Sequence, residues 1–181
     1  MPRGNNLEKN QVIILIPSYN EIKTLKKICL EIKKLHLNFL VINDASNDGT
    51  LQWLKKKKIN YINNKKNIGY ENSIIIGMNY IIKKPNSKYL ITFDADGEHQ
   101  TRDLIKMINF LKHNSVDMVI GSRNKFNRLS EYILSFLFFM KFNIKDPLSG
   151  FKAYSVQKLN KIKSKISTNF YLVDIIMIFK K

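Results

Sequence analysis

Short apolar runs alternate with longer stretches of helical periodicity over the first 120 residues. The runs are rich in Ile, Leu and Val, and they predict strands at 12–16, 39–42, 59–62, 89–93 and 118–120. The stretches between them predict helices over 22–35, 51–54, 67–83 and 101–113. Because parallel strands must be joined by crossovers, this alternation predicts an α/β fold with a mostly parallel central sheet flanked by helices.

A turn with a helix-start signal joins the first strand to the first helix. Its sequence is Pro17-Ser18-Tyr19-Asn20-Glu21, and the spacing of Ser18 and Glu21 is that of a capping box. In open α/β sheets, turns at the carboxyl ends of parallel strands line the crevice that binds ligands. We therefore expect this turn to contribute to a binding site.

The length of 181 residues suits a single domain with a sizeable core. We predict a flexible polar segment over 1–10 and one domain over 11–181. No apolar run reaches the roughly 18 residues that span a bilayer, and the N-terminus lacks the apolar core of a signal peptide. The single Cys29 excludes a disulfide framework within the chain and favours a reducing compartment.

The formal net charge of +17 permits two interpretations. Excess positive charge attracts phosphates, whether of a nucleic acid, a nucleotide or an anionic lipid. Alternatively, the charge reflects a composition rich in Lys, Ile and Asn, which all have A/T-rich codons. The run Lys55-Lys56-Lys57-Lys58 lacks the interleaved aromatic residues of a nucleic-acid platform, so we predict a solvated helix end there.

Acidic side chains follow three of the predicted strands: Glu21, Asp44, and the pair Asp94 and Asp96. In extended backbone, Asp94 and Asp96 would point to the same side, where their charges repel unless a cation lies between them. Carboxylate oxygens are the ligands that Mg²⁺ and Mn²⁺ prefer. Because strand exits line one rim of a parallel sheet, we predict a divalent-metal site there. The alternative is a pair of turn aspartates that face solvent.

Five short motifs together carry a family resemblance, and they follow one another between Val12 and Tyr154. The motifs are Ile16-Pro17-Ser18-Tyr19-Asn20-Glu21, Asn43-Asp44-Ala45-Ser46-Asn47-Asp48-Gly49-Thr50, Asp94-Ala95-Asp96-Gly97-Glu98-His99, Gly121-Ser122-Arg123 and Asp146-Pro147-Leu148-Ser149-Gly150-Phe151. With these motifs in this order, the chain resembles the family 2 glycosyltransferases of GT-A fold, and most of all the dolichyl- or polyprenyl-phosphate mannosyltransferases.

The resemblance implies a metal-assisted, inverting transfer of a sugar from a GDP- or UDP-sugar. The implied acceptor is a polyprenyl phosphate or a lipid-linked glycan, and the implied cofactor is Mg²⁺ or Mn²⁺. Relatives of this kind continue with a basic acceptor-binding segment, so we expect the domain to be short at its C-terminus. Two alternatives remain: a nucleotide-sugar-binding relic without turnover, and a basic nucleic-acid-binding domain. We expect no nucleic acid as a partner.

The resemblance also assigns the site residues. Asp44 is placed on the nucleotide base, Asp94 near the ribose or sugar, and Asp96 and Glu98 on the metal, with Asp94 as a further ligand. Asp96 is also assigned to catalysis. The substrate-binding set comprises Pro17, Tyr19, Glu21, Ile42, Asp44, Asp94, Ala95, Asp96, Arg123 and Arg128. Two residues depart from the family pattern, which usually has aspartate at Asn43 and, in the mannosyltransferase branch, glutamine at Glu98.

Asp174 has two interpretations. It stands where many relatives place a carboxylate near the acceptor, and a sugar hydroxyl acceptor needs a base to take its proton. A phosphate acceptor is already an anion and needs none. Alternatively, Asp174 is a helix N-terminal aspartate that the helix dipole favours.

The stretch 129–142 is unusually aromatic and apolar on nearly all sides. A helix of this kind is either buried in a core or embedded in a membrane interface, and both alternatives stay open here. Cationic side chains flank the stretch, namely Arg123, Lys125, Arg128 and Lys141. The second alternative predicts a cytoplasmic protein held peripherally at the inner face of the cell membrane.

Overall fold

The computed structural model describes residues 7–97, 99–123, 129–165 and 172–180. A six-stranded sheet lies at its centre, formed by β1 (Val12–Ser18), β2 (Asn38–Asn43), β3 (Tyr61–Asn63), β4 (Tyr89–Thr92), β5 (Met118–Ile120) and β6 (Lys152–Ser155). The helices are α1 (Ile22–Lys34), α2 (Thr50–Lys56), α3 (Tyr70–Ile82), α4 (Thr101–His113), α5 (Leu129–Phe142), α6 (Val156–Ile162) and α7 (Leu172–Lys180).

The strand order is β3-β2-β1-β4-β6-β5. Strands β3, β2, β1 and β4 are parallel, whereas β6 is antiparallel to both β4 and β5. The predicted mostly parallel α/β sheet is therefore confirmed, and β6 was missed. The chain leaves β1 for β2 on one side and later returns to β4 on the other side. This is a topological switch point, where open α/β sheets bind ligands beyond the carboxyl ends of their strands.

Side chains of β1 alternate between two apolar cores. Ile14 and Ile16 face the core beneath α1 and α4, and Leu15 faces the core beneath α3 and α6. A Cβ on Gly77 would overlap the Leu15 side chain, so this glycine lets α3 lie directly on β1. Burial on both faces explains why β1 reads as a continuous apolar run.

The end of the N-terminal segment contacts the domain. Leu7 is buried in the core beneath α1, and residues Lys9–Gln11 form a 3-10 helix that leads into β1. The flexibility of the segment 1–10 stays a prediction. Residues 1–6 lie outside the described residues.

Helix α5 does not pack into the core with its apolar residues. Phe136 is 62% exposed and Met140 is 70% exposed, and Tyr132, Ile133, Leu137 and Phe139 are exposed as well. The core interpretation of this stretch is therefore wrong for the part of the chain that the structure describes. None of the described helices combines the length and the apolar character needed to cross a membrane.

Candidate active site

A cavity of about 470 Å³ opens at the carboxyl ends of β1, β2 and β4. Seven of the residues assigned from the sequence line it, namely Pro17, Tyr19, Glu21, Asp44, Asp94, Ala95 and Asp96. They come from three separate turns, and the parallel strands bring those turns to one rim. The expected convergence of the acidic turns is thus present in the fold.

The turn after β1 is held by the turn after β2. Asn20 donates its backbone N–H to Ser46 Oγ at 3.0 Å, and Asn47 donates its backbone N–H to Asn20 Oδ1 at 2.9 Å. The first amide of α1, that of Ile22, donates to Asp48 Oδ2 at 2.9 Å. The predicted capping box is therefore wrong. Ser18 is the last residue of β1, and the free amide at the start of α1 is hydrogen-bonded by the Asp48 carboxylate from the neighbouring turn.

Asp94 and Asp96 reach the cavity in different ways. Strand β4 ends at Thr92, and Ala95 and Asp96 lie in a turn, so the extended backbone expected between the two aspartates is not present. Asp94 is half-buried and accepts a hydrogen bond from the Tyr70 hydroxyl at 2.7 Å, whereas Asp96 is exposed. Burial raises the pKa of Asp94, and the charge of Asp96 adds to this effect, although the Tyr70 hydroxyl opposes it.

Glu21 completes a group of acidic side chains on the cavity wall. Burial raises its pKa to about 7, and the carboxylates of Asp96, Asp94 and Asp48 contribute to the shift in that order. Concentrated negative charge of this kind favours a bound cation over a proton near neutral pH. Within the described ranges, no three His, Cys, Asp or Glu side chains stand close enough to hold a metal alone.

The raised pKa of Glu21 predicts a pH-dependent stability. Between pH 4.5 and about 7 the folded state binds more protons than the unfolded state, so the free energy of unfolding falls as the pH rises. Glu21→Gln removes this contribution, and we expect the fall over that window to be smaller by about 1–3 kcal/mol. Urea unfolding of the metal-free protein at several pH values measures the difference. Parallel pH profiles for the two proteins would contradict the assignment.

Asp44 is buried at the end of β2, and its carboxylate accepts hydrogen bonds from other groups of the protein. Oδ1 accepts from the Asn64 side chain at 2.8 Å and from the Ile68 amide at 3.0 Å, and Oδ2 accepts from the Gly69 amide at 2.9 Å. The carboxylate therefore holds the loop between β3 and α3 against the cavity. Its contact with a nucleotide base stays a prediction.

Two assigned residues lie away from the cavity. Ile42 is fully buried in the core beneath α3, because its position in β2 points it to that face of the sheet. Arg123 is not among the described residues that line the cavity. Its Nε and Nη2 donate to Asp146 at 2.9 and 3.2 Å, and Nη2 lies 3.5 Å from Glu131. The structure therefore places neither side chain at the cavity wall, and the two substrate-binding roles stay predictions.

Three further assignments cannot be placed in the site. Glu98 and Arg128 lie outside the described residues, and Asp174 lies in α7 with its side chain outside the described part of the structure. Their roles stay predictions.

Ser18 belongs to the turn that was expected to contribute to a binding site. Four other residues of the cavity wall were not predicted from the sequence, namely Asn67, Gly69, Tyr70 and Ser73. Three of them could have been found, because Asn67, Gly69 and Tyr70 follow a predicted parallel strand and so belong to the same rim. Ser73 has no signal of this kind, since it reaches the cavity from inside α3.

A mostly parallel sheet with an acidic cavity at its switch point is the architecture of a GT-A domain. The chain belongs to glycosyl transferase family 2, whose family model matches residues 13–171. It is 24% identical to the UDP-N-acetylglucosamine–dolichyl-phosphate N-acetylglucosaminyltransferase of Methanococcus voltae, over 88% of this chain and 75% of that protein. It is 28% identical to the undecaprenyl-phosphate mannosyltransferase of Micrococcus luteus, over 62% of this chain and 48% of that protein.

The fold is also that of a solved glycosyltransferase. Glucosyl-3-phosphoglycerate synthase from Mycobacterium tuberculosis, crystallised with Mn²⁺, UDP and glucosyl-3-phosphoglycerate, superposes with a TM-score of 0.66 at 16% identity. The superposition covers 82% of this chain and 57% of that chain. This chain therefore spans little more than half of the solved structure, and the GT-A fold predicted from the sequence is confirmed.

Proposed function

We propose that this chain transfers a sugar from a nucleotide diphosphate sugar to an acceptor, with inversion and with a divalent metal ion. The observation that carries the proposal is the cavity in which Glu21, Asp94 and Asp96 converge at the switch point. A nucleotide diphosphate is negatively charged and would be repelled by these carboxylates. A divalent metal ion between the diphosphate and the carboxylates offsets that repulsion. The donor is a UDP- or GDP-sugar, and UDP is bound in the solved relative.

Different residues of the cavity are proposed to bind different parts of the donor. The exposed ring of Tyr19, which lines the cavity, offers a flat face for a nucleobase. Asp44 fixes the loop whose residues Asn67 and Gly69 also line the cavity. Asp94 provides a carboxylate that can accept hydrogen bonds from the hydroxyls of a ribose or sugar.

The donor set of the cavity fits a hard divalent cation. Asp96, with Asp94 beside it, supplies carboxylate oxygens, which Mg²⁺ and Mn²⁺ prefer. Such ions keep several ligand positions for water and substrate phosphates, so a set of fewer than three protein ligands suits them. When bound, the metal acts as a Lewis acid that stabilises the charge of the departing nucleotide. Glu98 stays a proposed further ligand.

The acceptor is a lipid phosphate or a lipid-linked glycan. The names of the relatives from Methanococcus voltae and Micrococcus luteus give dolichyl phosphate and undecaprenyl phosphate as their acceptors. In this chain α5 carries an exposed aromatic face, with the exposed Lys141 in its last turn. Aromatic and aliphatic side chains beside cations suit the interface of an anionic membrane. We place the protein peripherally at the cytoplasmic membrane face.

Membrane docking through α5 predicts a specific loss. Phe138 is partly buried against Phe142, so the most exposed residues, Phe136 and Met140, are the better targets. Replacing both by Glu should reduce binding to anionic liposomes at least about tenfold, because each buried apolar side chain contributes about 1.5–3 kcal/mol. Co-sedimentation measures binding, and a thermal melt checks the fold.

The double variant Ile105→Glu and Phe110→Glu is the matched control, because both side chains are exposed on α4 and the same two charges are added. It should leave liposome binding unchanged. Equal losses in both proteins would point to non-specific charge repulsion. Loss of the cooperative melt in the α5 variant would show that α5 is covered in solution, and membrane docking would fall.

The transferase proposal is tested by nucleotide release from a panel of UDP- and GDP-sugars. The reactions contain Mg²⁺ or Mn²⁺, with and without polyprenyl phosphate. We expect release that requires the metal and increases with the lipid phosphate. Binding of a nucleotide sugar without any release would select the inactive relic. Steeply salt-dependent binding to nucleic acid, unaffected by Asp96→Ala, would select the nucleic-acid-binding alternative.

A further inference from the structure

The segment that runs from Asp146 into β6 contains one of the five family motifs, but none of its residues lines the cavity. Strand β6 inserts antiparallel between β4 and β5, and this places Lys152 opposite Thr92. Thr92 lies just ahead of Asp94 in the chain. The Thr92 hydroxyl bonds to the Gly150 carbonyl oxygen at 2.6 Å, and the Lys152 amide donates to Thr92 Oγ1 at 3.1 Å. The motif is thereby fastened to the base of the cavity.

The two oxygens of Asp94 have different surroundings. Oδ1 accepts from the Tyr70 hydroxyl at 2.7 Å. Oδ2 lies against the backbone of Gly150, where any Cβ would overlap it. Gly150 does not have a positive φ, so close approach rather than backbone conformation is what requires glycine here. The carboxylate is therefore confined from both sides.

A buried cation, Lys152, interacts electrostatically with the same carboxylate. Lys152 is 2% exposed, and its ammonium donates to the Ser149 carbonyl oxygen. A buried ammonium is costly unless negative charge stands near it. Asp146 and Asp94 supply that charge, while burial lowers the pKa of Lys152 to about 8. Asp146, which also pairs with Arg123, is the larger counter-charge of Lys152, and Asp94 is the second.

We infer that Tyr70, Gly150 and Lys152 are positioning residues that fix the Asp94 carboxylate for donor binding. We call these three residues the Asp94 cradle. The inference rests on the proposed function, because it assigns Asp94 to the donor. Its physical basis is preorganisation: a carboxylate that is already oriented loses less freedom when the sugar hydroxyls bind.

Double-mutant cycles test the cradle. In the ligand-free protein, Tyr70→Phe, Lys152→Met and Asp94→Asn are measured singly and in pairs by urea unfolding. Residues that act through one contact give non-additive effects, whereas independent residues add. We expect each cradle substitution to change the unfolding midpoint less in the Asp94→Asn background. If Lys152→Met fails to fold, the Tyr70 cycle still decides the outcome.

Donor kinetics separate positioning from structure. Tyr70→Phe should raise the donor KM about tenfold with little change in kcat, because a lost hydrogen bond to a charged group weakens ground state and transition state alike. Gly150→Ala should act in the same direction. Neither substitution should raise KM further once Asp94 is Asn. Tyr80→Phe is the matched control, because Tyr80 is an equally exposed tyrosine of α3 outside the cavity, and it should change nothing.

The outcomes distinguish this inference from the proposed function. Additive unfolding effects in both cycles overturn the cradle whatever the activity. Coupled unfolding with an unchanged donor KM in an active enzyme overturns the positioning role. Absence of turnover in the natural sequence would count against the proposed function alone, and the unfolding cycles would still decide whether the cradle exists.

Discussion

Replacing Asp96 by Asn is expected to lower the rate of nucleotide release by about 10²–10³ or more while leaving the unfolding midpoint unchanged. The rate falls because a neutral amide is a poor ligand for a hard cation, and loss of one group that stabilises the transition-state charge has an effect of about this size. Stability is retained because Asp96 is exposed and its charge repels Glu21 and Asp94. Removing that repulsion can even raise the midpoint.

The matched control is Asp103→Asn, since Asp103 lies on α4 and pairs with Lys106 away from the cavity. It should keep full activity, and its exposed ion pair should contribute no more than about 1 kcal/mol to stability. Full activity of Asp96→Asn would contradict the metal assignment. So would full activity of the natural sequence in excess chelator.

Replacing Asp146 by Ala is expected to lower the free energy of unfolding by about 3–5 kcal/mol, because it breaks a buried ion pair. Asp146 is 1% exposed and accepts from the amide, Nε and Nη2 of Arg123. It is also the leading counter-charge of the buried Lys152. Its removal leaves two cations without their main partner. Urea unfolding measures the loss.

Asp117→Ala provides the comparison for Asp146. Asp117 pairs with Lys158 at 3.3 Å, and both side chains are open to solvent. Its replacement should therefore lower the free energy of unfolding by less than about 1 kcal/mol. Equal losses for the two variants would mean that the Arg123–Asp146 pair does not hold the end of β5 to the segment before β6.

The acidic site could be predicted because its placement depends only on topology. Parallel strands put their carboxyl ends on one rim. Once the strands were recognised, their order therefore predicted that Glu21, Asp44 and Asp94 lie close together. The detailed orientation was not accessible, since it depends on contacts distant in sequence. The hydrogen bonds of Asp44 with the loop before α3, and of Asp94 with Tyr70, have no local signal.

Neither strand β6 nor the ion pair of Arg123 could be predicted from the sequence, because both depend on partners that are distant in the chain. A strand that begins with a lysine does not look buried, and the charges of Asp146 and Asp94 are what help to make the burial of Lys152 tolerable. Arg123 lies beside the predicted site in sequence, and its pairing with Asp146 has no local signal from which it could have been predicted. For α5, periodicity alone did not separate a core helix from an exposed one, because apolar residues surround it on nearly all sides.

The proposed function requires that the cavity bind a nucleotide through a metal ion. Calorimetric titration of UDP and of GDP into the natural sequence, with Mn²⁺ and then with excess chelator, measures this directly. We predict saturable binding of at least one nucleotide in Mn²⁺, loss of that binding in chelator, and loss of it in Asp96→Asn. Binding that is equally tight without metal, or no binding of either nucleotide by the folded protein, would contradict the account.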